Sequence, residues 1–188
     1  MKTLYILHGG ESSRRTAGND VFFKAIIDAT NKDIIKILCV YFARPEHRWQ
    51  ESFYEDKCVF EEQGVNKSLY MGIASKDDFE AQIRNTDVIF LNGGFKGFLK
   101  DALLSITNLN ELLANKVIVG ISAGANILSR YYYSQGGDEI REGVGLLPIK
   151  VFCHYSDKNK IELSKLEEYG EDLPIYKIPE EQFIVIEQ

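Results

Sequence analysis

The segment Val117-Ile118-Val119-Gly120-Ile121-Ser122-Ala123-Gly124-Ala125-Asn126 constrains the fold of this chain more than any other stretch. A short apolar, β-branched run ends in Gly120-x-Ser122-x-Gly124, and a helix-forming run follows. Strand, tight turn and helix in that order make the pattern of a nucleophile elbow. The turn forces the serine backbone into a strained conformation, and bulk two residues to either side would block the reversal, so glycine stands there. Such a turn presents the Ser122 hydroxyl above the carboxyl edge of a sheet. The Ala123 N–H, at the start of the new helix, lacks an intrahelical acceptor and is available to developing negative charge. The plain alternative, an incidental serine in a glycine-lined turn, is disfavoured by the strand before it and the helix after it.

The rest of the chain repeats this alternation. Residues 3–7, 34–42, 67–70, 88–91 and 117–121 are apolar runs of strand length. Runs that are apolar on both faces suit the interior of a parallel sheet covered by helices. Between them the spacing predicts helices over 20–30, 48–63, 76–84, 96–105 and 123–130. In the first, Val21, Phe22, Ala25, Ile26 and Ala29 repeat at helical spacing. Strands alternating with helices require right-handed crossovers, so an α/β three-layer sandwich with a mostly parallel sheet is expected. After Tyr131 the character changes. Residues 134–137 read as a loop, 149–153 as a strand, 157–168 as a helix, and 175–178 and 183–186 as short closing strands. Pro174 and Pro179 bracket the first of those two and suit an edge. No internal repeat or linker interrupts the pattern, so residues 1–188 are expected to form a single domain.

Charge and cysteine content exclude several classes. The 28 acidic residues outnumber the 22 basic ones, a net charge of −6, and they are scattered. A nucleic-acid partner would call for a basic stripe. The three cysteines are odd in number and lack CxxC spacing, which disfavours zinc ribbons and disulfide frameworks. The first apolar run is cut short by His8-Gly9-Gly10, too early for a signal peptide. No apolar run approaches the ~18 residues of a membrane span. A soluble, cytoplasmic protein with no membrane partner is expected, as a monomer or a homodimer.

An elbow serine needs a base. Elbows place the base downstream of the serine, and of the three histidines only His154 qualifies. It ends a predicted strand and precedes a predicted helix, where a sheet offers its catalytic edge. His8 also ends a strand at that edge and reads as a strand cap or a pocket wall, and His47 has no assigned role. The turn in Leu91-Asn92-Gly93-Gly94-Phe95 follows a strand and exposes bare N–H groups, and Gly94 is the candidate second oxyanion donor. Neither GxGxxG nor GxxxxGK[ST] occurs, so no nucleotide site is read. For the carboxylate that orients the histidine, Asp138 is preferred because it follows the mobile Gly136-Gly137 pair. Glu139, Glu142 and Asp157 stand as alternatives.

These motifs together resemble a known family. Gly120-Ile121-Ser122-Ala123-Gly124-Ala125-Asn126 is similar to the nucleophile segment of peptidase E (the aspartyl dipeptidase) and cyanophycinase. Leu7-His8-Gly9-Gly10 resembles that family's first strand and turn, and Leu91-Asn92-Gly93-Gly94 its oxyanion turn. Gly145-Leu146-Leu147-Pro148, with His154 and Asp157-Lys158-Asn159-Lys160, resembles its histidine segment. The order is right across nearly the whole chain. The resemblance implies a class I glutamine amidotransferase-like (flavodoxin-like) fold and a serine peptidase without metal or cofactor. It also implies Ser122 as nucleophile, His154 as base, and Gly94 and Ala123 as the oxyanion hole.

A serine peptidase of short peptides, such as those with an N-terminal aspartate, is therefore the expected function. Two rivals stand beside it. An esterase of the α/β-hydrolase type shares the elbow, although His154 follows Ser122 too closely for the elements that fold inserts. A non-catalytic amidotransferase-like domain that binds a ligand or partner is the other.

Overall fold

Four strands, β1 (Leu4–His8), β2 (Ile34–Val40), β4 (Val88–Leu91) and β5 (Val117–Ile121), turn alternate side chains into two apolar layers. Ile6, Ile37, Phe90 and Val119 face one layer, and Leu7, Leu38, Ile89 and Ile118 face the other. Burial on both faces is what a parallel sheet sandwiched by helices demands. The computed structural model describes residues 2–188. With β3 (Ser68–Ile73) and β10 (Phe183–Glu187), these strands form a six-stranded sheet in the order β10-β1-β5-β4-β2-β3. All neighbours are parallel except β10, which pairs antiparallel with β1 at the edge.

Helices α1 (Ala17–Asp28) and α2 (Trp49–Gln63) cover the first layer. Thr16 caps α1 by accepting from the Asn19 N–H, and the helix buries Phe22, Phe23, Ile26 and Ile27. Each such side chain contributes roughly 1.5–3 kcal/mol by leaving water. The second layer is covered by α3 (Phe79–Arg84), α4 (Lys96–Leu104), α5 (Leu109–Leu113) and α6 (Ala123–Leu128). All six residues of α6 are buried.

The α6 helix is buried because a second sheet lies beyond it. β6 (Ser129–Ser134), β7 (Glu139–Glu142), β8 (Leu147–Cys153) and β9 (Ile175–Ile178) pair in the order β7-β6-β8-β9. β6, β8 and β9 are parallel to one another, and α7 (Lys160–Glu168) packs on the outer face through Leu163 and Leu166. The expected helix over 123–130 is therefore too long. The chain leaves the helix at Ser129, whose hydroxyl donates to the Asn126 and Tyr131 carbonyls, and Tyr131-Tyr132-Tyr133 runs on as a strand. Three successive tyrosines favour a pleated surface over a helix. The α/β class with a mostly parallel sheet is as expected, and β9 does lie at an edge. No described helix is long and apolar enough to cross a membrane.

Candidate active site

The turn after β5 puts Ser122 in a conformation few side chains adopt, with φ 48° and ψ −101°. Two close approaches hold it there. A Cβ on Gly120 would lie 2.6 Å from the Ala125 nitrogen, and one on Gly124 would lie 2.3 Å from the Leu91 carbonyl oxygen. Any larger residue would push the helix off the strand. The Ser122 N–H donates to the His8 carbonyl at 2.9 Å, which ties the elbow to the end of β1.

His154 follows the last residue of β8, itself at a positive φ of 55°. Its Nε2 lies 2.6 Å from Ser122 Oγ. Its Nδ1 lies 2.5 Å from Glu180 Oε1. For the serine hydroxyl to donate to Nε2, the ring proton must sit on Nδ1 and face that carboxylate. Serine, imidazole and carboxylate thus form one hydrogen-bonded line.

Glu180 replaces Asp138 in this arrangement. The Asp138 carboxylate accepts instead from the Tyr133 hydroxyl, within the turn that joins β6 to β7. Glu139 pairs with Arg141, and Glu142 with Arg130. Asp157 lies in the 3-10 turn after the histidine, with no hydrogen bond to it. Topology explains the exchange. β8 and β9 are parallel, with Cys153 opposite Ile178. The residues just beyond each strand therefore fall side by side: His154 after β8, and Pro179-Glu180 after β9. The available signal was a second strand that ends in a turn with a carboxylate, downstream of the histidine rather than between it and the serine.

Gly94 stands where β4 ends, at φ +144°. A Cβ there would lie 2.2 Å from the Ala43 carbonyl oxygen, so glycine is required. The half-buried Arg44 fixes the same turn, donating from Nε to the Gly93 carbonyl at 3.2 Å and from Nη1 to Ser52 Oγ. Among the described residues neither the Gly94 nor the Ala123 N–H donates to a protein acceptor. Gly94, Ser122 and His154 share the wall of a cavity of about 360 Å³ that also reaches Phe95, Asn126 and Arg141. The sequence candidates Ser122, His154 and Gly94 thus meet at one cavity, with Ala123 buried at the start of α6, and Asp138 sits apart from the histidine.

The model of peptidase family S51 matches residues 5–188. The chain belongs to peptidase family S51, the peptidase E family. It is a serine-type peptidase, which sets aside both the esterase and the non-catalytic readings. Two solved structures share its fold. One is a peptidase from an acI-B1 Actinobacterium, 19% identical, with a TM-score of 0.67 over 99% of this chain and 84% of that one. The other is a protein of Listeria monocytogenes EGD-e assigned to peptidase E, 18% identical, with a TM-score of 0.68 over 100% of this chain and 95% of that one. Among curated protein sequences none matches.

Proposed function

We propose that this S51 peptidase hydrolyses short peptides through a Ser122–His154–Glu180 triad, with the whole chain acting as one catalytic domain. The carrying observation is the continuous line of bonds, 2.6 Å from Ser122 Oγ to His154 Nε2 and 2.5 Å from His154 Nδ1 to Glu180 Oε1. Ser122 attacks the scissile carbonyl while His154 takes its proton, forming a tetrahedral intermediate. His154 then protonates the leaving amine, and the acyl-enzyme is hydrolysed by water through the same base. Glu180 holds the imidazole in the productive tautomer and stabilises the imidazolium. The Gly94 and Ala123 N–H groups hold the oxyanion, each typically worth about 3 kcal/mol in the transition state.

Support for an N-terminal aspartate in the substrate comes from the cavity wall. Arg141 reaches the cavity, and no described carboxylate lines it. Arg141 reaches the wall from its ion pair with Glu139, and a cation at a cavity wall favours an anionic group on the substrate. The test is labelling with a fluorophosphonate, followed by mass mapping and a panel of Asp-X dipeptides. An adduct on Ser122 that is missing in Ser122→Ala and in His154→Ala is expected. Undiminished dipeptide hydrolysis by Ser122→Ala would sink the proposal.

A further inference from the structure

Three consecutive carbonyls at the end of β1 each hold a different part of the site. The His8 carbonyl accepts from the Ser122 N–H at 2.9 Å, the Gly9 carbonyl from the His154 N–H at 3.2 Å, and the Gly10 carbonyl from the Glu181 N–H at 3.1 Å. The Gly9 N–H closes the set by donating to the Gln182 carbonyl at 2.9 Å. Serine, base and acid come from three separate segments, and this tripeptide is the backbone they share.

The side chain of His8 braces that tripeptide. It is fully buried. Its Nδ1 accepts from the Gly10 N–H at 3.2 Å, and its Nε2 lies 3.0 Å from Asn19 Oδ1. The tautomer follows from the partners. Asn19 Nδ2 donates to the Glu11 and Arg14 carbonyls at 2.9 and 2.8 Å, so its oxygen faces His8 and Nε2 must carry the proton. The ring packs on Phe22, with centroids 4.3 Å apart. Burial lowers the His8 pKa to about 4, so the ring is neutral and Nδ1 stays an acceptor near neutral pH.

Gly10 shows how tight the template is. It has φ +147°, and a Cβ there would lie 2.1 Å from His154 Cε1 and 2.7 Å from Glu180 Oε2. The imidazole and the carboxylate both lean on this bare backbone. A small rotation of the Gly10 peptide therefore moves base and acid together.

We infer that His8 is a positioning residue of the peptidase: through Gly10 and Asn19 it locks the template on which Ser122, His154 and Glu180 are registered. This rests on the reading of those three as the triad. His8 touches no reacting atom and acts through the backbone it holds.

The experiment is fluorophosphonate inactivation, resolved into kinact and KI, on the full chain. His8→Phe fills the volume and removes both polar contacts. Its kinact should fall about 100-fold, the scale of loss for a small misplacement of reacting groups, while KI stays near the wild-type value. His8→Asn keeps a short side-chain oxygen that can accept from the N–H two residues on. It should recover most of the lost kinact. Asn19→Ala, which leaves His8 and Gly10 in place but frees the ring, should lose about tenfold and serves if His8→Phe does not fold. Far-UV circular dichroism and thermal unfolding confirm which variants are folded at the labelling temperature. A folded His8→Phe with wild-type kinact overturns the inference. So does a loss in His8→Asn as large as in His8→Phe. A wild-type chain that takes no label at Ser122 overturns the reading of the site, and this inference with it.

Discussion

Asp56 on α2 accepts a 2.8 Å hydrogen bond from Asn92 Nδ2, the residue that opens the Asn92-Gly93-Gly94 turn. The same carboxylate oxygen accepts from the Tyr41 hydroxyl at 2.7 Å, and all three side chains are buried. A helix on one face of the sheet thereby anchors the backbone that carries the Gly94 N–H. Replacing Asp56 by Ala strands two buried donors, each at roughly 1–3 kcal/mol, so a loss of about 2–6 kcal/mol in unfolding free energy is expected. Asp56→Asn retains an acceptor oxygen and should lose less. Urea denaturation of the two variants measures the difference, and equal losses would contradict the accepting role.

Asp56 and His8 also oppose each other in acid. Burial raises the Asp56 pKa to about 6, above its ordinary 3.8, in the company of Tyr41, Arg44, Asn92 and Glu55. Burial lowers the His8 pKa to about 4, below its ordinary 6.5, among Asn19, Glu181 and His154. As pH falls from about 6.5 to about 4, the unfolded chain protonates at His8 before the folded one does, and stability is lost. Over nearly the same window the folded chain protonates Asp56 first, and stability is gained. Each effect is on the order of 3 kcal/mol, so they nearly cancel in the wild type. Relative to wild type, His8→Gln should gain stability between pH 7 and 4, and Asp56→Asn should lose it. Unfolding free energies at four or five pH values would show parallel curves if neither group is perturbed.

The two carboxylates near the β6–β9 end of the site can be separated by activity. Glu180→Gln keeps the shape but cannot hold the imidazole tautomer as a carboxylate does, and kcat should fall about 10³- to 10⁴-fold. Asp138→Asn removes the charge but keeps an oxygen that can accept from Tyr133 at the cavity rim, and should fall by no more than about tenfold, the scale of one displaced wall contact. Steady-state kinetics on the best dipeptide decides between them, and a larger loss at Asp138 would return the sequence expectation to favour.

Arg141 carries the substrate prediction. Its Nε donates to Glu139 Oε1 at 2.6 Å, which fixes the guanidinium at the cavity wall. Arg141→Gln should raise KM for an Asp-X dipeptide about tenfold or more, the cost of one lost charge-assisted bond, and leave KM for the matching Asn-X dipeptide nearly unchanged. Parallel shifts for both substrates would show that Arg141 does not read the charge.

The elbow, the base and the glycine turn were legible in the sequence for a local reason. Gly120, Gly124 and Gly94 each lie within a few residues of an apolar strand run, and His154 stands directly after one. The contacts that require glycine at 124 and 94 nevertheless come from Leu91 and Ala43 on other segments. Glu180 was not legible in that way. It meets His154 because β8 and β9 pair in parallel with α7 looped between them, a tertiary register that no local pattern records. The second sheet was partly hidden for a related reason. The helical pattern that begins at Ala123 runs on smoothly in sequence, and it takes the packing of the tyrosines against Phe152 and α7 to break it at Ser129. His8 was placed correctly at the strand end, but its role as a brace rests on Asn19 eleven residues away in the chain.

Glu180 sits on the link between β9 of the four-stranded sheet and β10 of the six-stranded one. The proposed triad therefore draws on both sheets of the fold through Glu180. On the β10 side the link is tied to β1 by the Glu181 N–H, which donates to the Gly10 carbonyl, and by the Gln182 carbonyl, which accepts from the Gly9 N–H. The contact between Glu180 and His154 is thus a property of the joined sheets rather than of either sheet alone.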